Sequence, residues 1–279
     1  MFVLAGVVAL IACLFFLYGK TKSIRRIKIH GQGVLITGCD TGFGHQLVQR
    51  LDEMGFTVFA GCLSDKSQGA ETLKRICTKR VHILQLDVTK SEDILQARKT
   101  VQKGCAASGR IVNVTSVKGV LSRPTISVYG ATKFGAENFS DCLRLEMRKF
   151  GVKVSIIEPG NFGGLTGIVK DQNLKRLMNE MEIMWEHAED DVKQAYGRAH
   201  LEGQFTGLHK ALETCSPTMK PVIDALEDAL VNERPSVRYL VDGGRGLVDW
   251  YNLYARIHYY LPSKWMDFVL DTSWNRGIR

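Results

Sequence analysis

Gly109-Arg-Ile-Val-Asn-Val-Thr-Ser116, then Tyr129-Gly-Ala-Thr-Lys133, then Val154-Ser-Ile-Ile-Glu-Pro-Gly160: these three segments fall in one stretch, and their reading decides the fold. An apolar run, Ile111 to Val114, ends in a hydroxyl, Ser116. A tyrosine and a lysine four positions apart follow. A second apolar run, Val152 to Ile157, ends in Pro159-Gly160. The order is strand, loop, helix, strand, with the polar groups gathered at strand ends. Open α/β sheets bind their ligands there, outside the carboxyl ends of the strands.

Tyr129 and Lys133 stand at i and i+4, so a helix presents them on one face. An ammonium beside a phenol favours the phenolate. Such a phenol can exchange a proton with an alcohol or carbonyl oxygen, and a hydroxyl such as that of Ser116 can hold the same oxygen by a hydrogen bond. Tyr-x-x-x-Lys alone is common on exposed helix faces by chance. What lifts this pair above that background is Ser116 at a strand end and a glycine turn upstream.

That turn is Gly38-Cys-Asp40-Thr-Gly42-Phe43-Gly44, entered from a short apolar strand, Gly33 to Thr37. An amphipathic helix pattern follows from His45, with Leu47, Val48, Leu51 and Met54 on one side. Glycines let a backbone turn sharply beside a pyrophosphate, and a helix N-terminus offers N–H groups and a positive dipole end. A second strand, Thr57 to Cys62, has Asp65-Lys66 just beyond it and no arginine at its end to pair a 2′-phosphate, which favours NAD over NADP. A third, Val81 to Leu86, ends in Asp87-Val88. Asp87 there can accept from an adenine amino group or cap the next helix, for which Thr89 and Ser91 are also candidates.

The 279 residues, 45% hydrophobic and 24% charged, suit one α/β domain with a large core. The net charge of +8 is gathered in part at Lys20, Lys22, Arg25, Arg26 and Lys28. That cluster lacks the aromatic interleaving of a nucleic-acid site. Seven scattered cysteines without a Cys-x-x-Cys pair argue against a disulfide framework or a metal site and for a reducing compartment. Phe2 to Tyr18 carries no charge and has its basic flank on the C-terminal side. The pattern predicts a retained membrane anchor over 1–19, a basic linker over 20–29 and a catalytic domain over 30–279 on the cytosolic side. The competing reading is a buried helix of the domain itself. Residues 163–207 are helical in pattern, with Met178, Met181, Met184 and Trp185 near helical spacing, either as a wall for an apolar ligand or as plain core. Pro221 to Leu230 reads as an amphipathic helix and Tyr239-Leu-Val as a last strand. Trp250 to Leu270 mixes aromatic and basic residues, as a membrane interface does and as a packed helix pair also does. The sequons at Asn113 and Asn138 lie inside these elements and are set aside.

Together, Thr37-Gly-x-x-x-Gly-x-Gly44, Ser116, Tyr129-x-x-x-Lys133 and Pro159-Gly160 resemble the short-chain dehydrogenase/reductases over roughly residues 30 to 270. Phe59-Ala-Gly-Cys-Leu63, Phe139-Ser-Asp-Cys-Leu-Arg144 and Glu158-Pro-Gly-Asn-Phe162 are similar to the branch of D-3-hydroxybutyrate, retinol and 17β-hydroxysteroid dehydrogenases. The resemblance implies a Rossmann-like doubly wound α/β fold and an oxidoreductase using NAD. It implies Ser116, Tyr129 and Lys133 as catalytic residues. It places Thr37, Gly38, Asp40, Gly42, Phe43, Gly44, Cys62, Asp87, Val88, Pro159, Gly160 and Thr166, with Tyr129 and Lys133, around the cofactor. It further implies a lipophilic alcohol or ketone, or D-3-hydroxybutyrate, as substrate. Membrane lipid and a second copy of the chain are further expected partners. The endoplasmic reticulum membrane is the expected location, with the mitochondrial membrane as the alternative. One departure stands out. The family has a strand ending in Asn-Asn-Ala-Gly and a long helix carrying a catalytic asparagine between the Asp87 and Ser116 strands. Here a single helix pattern, Ser91 to Lys103, runs into Gly104-Cys-Ala-Ala-Ser108 and then the Ser116 strand. One central strand-helix unit is missing. The flanking strands are then expected either to keep unpaired edges or to close on each other, and a chain so built is expected to bind NAD poorly and turn over little.

Overall fold

The computed structural model describes residues 25–29, 31–102, 109–121, 124–166, 171–245, 249–265 and 267–268. The proposed anchor, Phe2 to Tyr18, and the junction at 103–108 lie outside the described residues. Among the described residues no helix is long and apolar enough to cross a membrane.

The first half alternates strand and helix: β1 (Gly33–Thr37), α1 (Gly42–Glu53), β2 (Thr57–Cys62), α2 (Gln68–Ile76), β3 (Val81–Gln85) and α3 (Ser91–Gln102). Its sheet is parallel in the order β1-β2-β3. β2 is central, and Val58 to Cys62 are buried on both faces, as the continuous apolar run of a covered parallel strand requires. The second half holds β4 (Arg110–Val114), α4 (Ser127–Met147), β5 (Lys153–Pro159), α5 (Asp171–Glu186), α6 (Asp190–Tyr196), α7 (Arg198–Glu213), α8 (Lys220–Val231), β6 (Arg238–Val241) and α9 (Trp250–Ile257). Its sheet is also parallel, in the order β4-β5-β6, in register from Arg110 opposite Lys153 to Val114 opposite Ile157.

The two sheets do not join. β1 pairs with β2 alone and β4 with β5 alone, and no described strand lies between β1 and β4. Of the two outcomes expected for the missing strand, the structure takes the open one. A cavity of about 1240 Å³ separates the edges, lined by β1 and β4, by Phe43 and Leu47 of α1, and by Ala136 and Phe139 of α4. Leu35 and Val114, each in the middle or at the end of a strand that a continuous sheet would bury, are about 40% exposed. Side chains hold the halves together instead. α8 packs on α1 and also on β4 and β5. Its Val222 and Leu226 join Leu47, Val48 and Ile157 in one buried cluster. Arg26 adds a short antiparallel bridge to Asn232 just past α8.

The region read as an aromatic surface helix is in part a packed one. Asn252 and Ala255 of α9 are buried, and Ala255 and Tyr254 pack on Val117 and Leu121. Beyond the helix, Tyr260, Trp265 and Phe268 are exposed. In α5, Met184 and Ile183 are exposed, while Met178, Met181 and Trp185 are half-buried.

Candidate active site

The glycine turn joins β1 to α1, and the helix begins at Gly42, three residues before the apolar pattern suggests. Gly38 and Gly42 take positive φ, 71° and 67°, a region that favours residues without a Cβ. Gly44 is required by space: a Cβ there would come 2.4 Å from the Gly38 carbonyl oxygen. The Thr41 side chain does not cap α1, and no acidic residue occupies the first turn. Backbone turned this tightly into a helix N-terminus, without competing carboxylates, fits the pyrophosphate of a dinucleotide.

The residues expected around that turn are only partly directed at it. The Asp40 carboxylate accepts the Leu63 N–H at 2.7 Å, so it ties the turn to the end of β2. Cys62 is fully buried, and burial pushes its thiol up to about 11. Asp87 accepts from both the backbone N–H and the hydroxyl of Thr89, at 3.0 and 2.7 Å, closing a turn after β3. Those two bonds hold its carboxyl below the usual carboxylate range. Val88 is exposed. Phe43 packs edge-on against the buried Phe162, ring centres 5.7 Å apart. Thr166 sits beside Gly42: a Cβ added at Gly42 would be 3.8 Å from that of Thr166. The turn after β5 is thereby brought to the glycine turn after β1.

Ser116 lies two residues past β4, at the start of the Val117–Gly119 turn, and is buried. Its Oγ accepts the Lys118 N–H at 3.2 Å and lies 3.5 Å from the Pro159 carbonyl. Gly160 continues β5 towards β6, its N–H donating to the Val241 carbonyl at 2.8 Å. Tyr129, in the first turn of α4, is half exposed, and the Lys133 ammonium lies 5.7 Å from its ring centre. Burial lowers the Lys133 pKa, opposed by the nearby Glu137 carboxylate. Ser116, Tyr129, Lys133 and the Pro159-Gly160 turn thus all belong to the second half. The glycine turn belongs to the first half, across the open edge.

Reading the sequence missed what lies beneath. Glu137 follows Lys133 by one helical turn and is buried. Its carboxylate bonds the Thr115 hydroxyl and Arg238. Arg238 also meets the buried Glu158 at 2.6 Å. Helical spacing from Tyr129 and Lys133 points to Glu137, but nothing local to Arg238 marks it as the partner. Among the described residues there is no cluster able to hold a metal ion.

A short chain dehydrogenase family model matches residues 32–107 and 105–177, two pieces that meet at the junction. Estradiol 17-beta-dehydrogenase 2 of Mus musculus is 31% identical over 312 positions, covering 93% of this chain and 79% of the relative. That alignment is longer than the 279-residue chain, so the relative carries residues with no counterpart here. Mitochondrial D-beta-hydroxybutyrate dehydrogenase of Bos taurus is 33% identical, covering 76% of this chain and 77% of the relative. Retinol dehydrogenase 16 of Mus musculus is 31% identical, covering 77% and 83%. A short chain dehydrogenase/reductase from Burkholderia phymatum, solved with NAD, shares the fold at a TM-score of 0.59 and 16% identity, covering 84% of this chain and 96% of that one. The chain therefore belongs to the short-chain dehydrogenase family, in the branch of the hydroxybutyrate, 17-beta-hydroxysteroid and retinol dehydrogenases.

Proposed function

We propose that this chain is a membrane-held oxidoreductase that interconverts an alcohol and a carbonyl with NAD, at reduced efficiency because its sheet is open. The observation that carries the reading is the half-buried Lys133 ammonium beside the Tyr129 ring, on the helix that follows Ser116. Tyr129 exchanges the proton of the substrate hydroxyl. Ser116 holds the substrate oxygen, and Lys133 sets its positive charge beside the Tyr129 ring. The dinucleotide's nicotinamide, when bound, takes or gives the hydride. Gly38, Gly42 and Gly44 would hold its pyrophosphate by backbone, Lys133 its ribose, and Thr166 would stand near its carboxamide. The apolar exposure of Ile183 and Met184 on α5 supports a lipophilic substrate, a retinoid or hydroxysteroid, ahead of D-3-hydroxybutyrate.

A second reading, a non-enzymatic isoform, is favoured by the same open edge. The strand floor between the glycine turn and Ser116 is absent among the described residues, and a misplacement of ~1 Å can cost a hundredfold in rate. The test pairs this chain with one carrying a relative's strand-helix unit at the junction. NADH binding by fluorescence and oxidation of estradiol, retinol and 3-hydroxybutyrate are measured on both, with Tyr129→Phe in each. The expected result is tighter NADH binding and faster turnover in the restored chain, and loss of turnover in Tyr129→Phe with NADH affinity within a few-fold. Near-normal turnover in Tyr129→Phe would refute the site. Equal binding and turnover in the two parents would refute the role given to the gap.

A further inference from the structure

Four elements of the second half meet at one buried charge cluster. Glu137 comes from α4, Glu158 from β5, Arg238 from β6 and Thr115 from the end of β4. Glu137 and Glu158 are 5% and 3% exposed. One guanidinium nitrogen, Arg238 Nη1, contacts both carboxyls, Glu158 at 2.6 Å and Glu137 closer still. Thr115 bonds Glu137 through its hydroxyl and continues the β4–β5 ladder, its N–H donating to the Ile157 carbonyl at 2.8 Å. Ser116 is the next residue. Gly119 lies against the same helix, where a Cβ would be 2.9 Å from Glu137 Cγ and 3.0 Å from the Lys133 carbonyl oxygen. Arg238 from β6, and Lys133 and Asp141 from α4, are charged groups at the pair. Asp141 also bonds Arg238 and Arg144. The turn at Val117–Gly119 brings Gly119 against Glu137, and Thr115, just past β4, brings its hydroxyl.

We propose that Glu137 and Glu158 share one proton around Arg238 at neutral pH, and that this proton-sharing pair is a positioning device setting the Tyr129/Lys133 helix against the Ser116 strand. Two carboxylates buried on one nitrogen cannot both keep full charge without a second cation as close. The Lys133 ammonium feels the Glu137 carboxylate from the same helix, and burial already disfavours its charge. Protonating Glu158 removes the like-charge repulsion and leaves Glu137 as the anion that faces Lys133. Burial and then the Glu137 carboxylate push the Glu158 carboxyl up to about 7, against the pull of Arg238. Losing that proton loads a second negative charge beside Arg238, and the helix bearing Tyr129 and the strand bearing Ser116 then shift relative to each other. The proposal rests on the oxidoreductase reading only in what the two elements are positioned for.

The experiment therefore reads protonation and position without turnover. Infrared spectra of the full chain with ¹³C-glutamate, from about pH 5 to 9, report protonated carboxyl groups directly. The expected result is a buried carboxylic-acid band that titrates with a midpoint near 7 and is lost in Glu158→Gln. Backbone amide resonances of Thr115, Ser116, Gly119 and Lys133 are expected to move with that midpoint, and to stop moving in Glu158→Gln. Glu137→Gln, which removes the like charge from the other side, is expected to move the midpoint down and gives a second variant should the first fail to fold. The same proton affects stability in a defined direction. The folded value, about 7, lies above the ordinary 4.5, so the stabilisation is full below 4.5 and is lost as pH rises through 7. Melting temperature should fall across that window more in the parent than in Glu158→Gln. Absence of any protonated glutamate at pH ~6, a band that survives both variants, or amides at 115, 116 and 133 that ignore the titration would each overturn the proposal. If infrared and amide titrations agree but no alcohol is ever oxidised, the pair stands and the function reading fails.

Discussion

Gly69 carries a constraint that its place in an ordinary helix does not announce. It lies in the first turn of α2, and a Cβ there would come 1.8 Å from the Asp40 carbonyl oxygen. The obstacle is backbone, so no rotamer change relieves it. Gly69→Ala should destabilise the chain by at least the ~1–3 kcal/mol typical of overpacking and displace Asp40 from Leu63. Chemical denaturation and loss of NADH affinity together check this; unchanged stability would mean that α2 and the glycine turn are less tightly apposed than the structure has them. The contrast with Gly44 shows what single residues disclose in a sequence. Gly44 was legible because its contact, Gly38, lies in the same turn, and strand-glycine-helix order is a local pattern. The placement of Ser116 just past a strand and of Tyr129 and Lys133 on one helix was legible for the same reason, being read from a strand end and an i,i+4 spacing. Arg238 was not: its partner Glu137 is 101 positions away, and only the pairing of β6 with β5 brings it to α4. At Asp87 the sequence left open an adenine contact or a helix cap; the turn its carboxylate closes on Thr89 was unreadable there, because it depends on where the Thr89 hydroxyl points.

Among the elements, β1 and β4 depart furthest from a continuous doubly wound sheet. Their order, direction and covering helices followed from the alternating pattern, and the missing unit between them was visible as a gap in that alternation. What the pattern left undecided was whether the edges would close. They stay apart because α8 wedges apolar side chains against both halves, and because α1 and α4 already line the space between the edges. This makes Leu35 and Val114 unusual strand residues. Leu35→Lys or Val114→Lys should change stability by no more than ~0.5 kcal/mol, as an exposed site allows. In a closed sheet the same lysine would be buried and unpaired, at a cost of several kcal/mol, on the order of breaking a buried pair. In the chain with a restored strand-helix unit, the lysine should accordingly lower the melting temperature sharply. An equally large loss in the present chain would show the edges closed in solution.

At the scale of the whole molecule, attachment to membranes and cooperativity of the fold are the properties to measure. Expressed in cells, the chain should pellet with membranes and resist carbonate extraction through Phe2 to Tyr18. Removal of residues 1–19 should weaken attachment, while exposed Tyr260, Trp265 and Phe268 retain some, since aromatic side chains favour the membrane–water interface. A truncated chain that still resists extraction would place the anchor elsewhere. The separated sheets bear on a different property. Within each half, strands are coupled by backbone ladders; between the halves, the described strands share none, and the coupling includes packed side chains, the Arg50–Glu227 ion pair and the bridge at Arg26. Ladder bonds resist partial opening, whereas a packed seam can part while each side keeps its own structure. Scanning calorimetry of the truncated chain should then yield a calorimetric enthalpy larger than the van't Hoff value, the signature of melting in more than one step. Amide exchange should lag in the β1-β2-β3 ladder relative to β4-β5-β6, or the reverse, with α8 opening alongside whichever half yields first. The open seam is expected to leave this chain as two cooperative blocks sharing one helix as a clasp, which heat rather than chemistry would first tell apart.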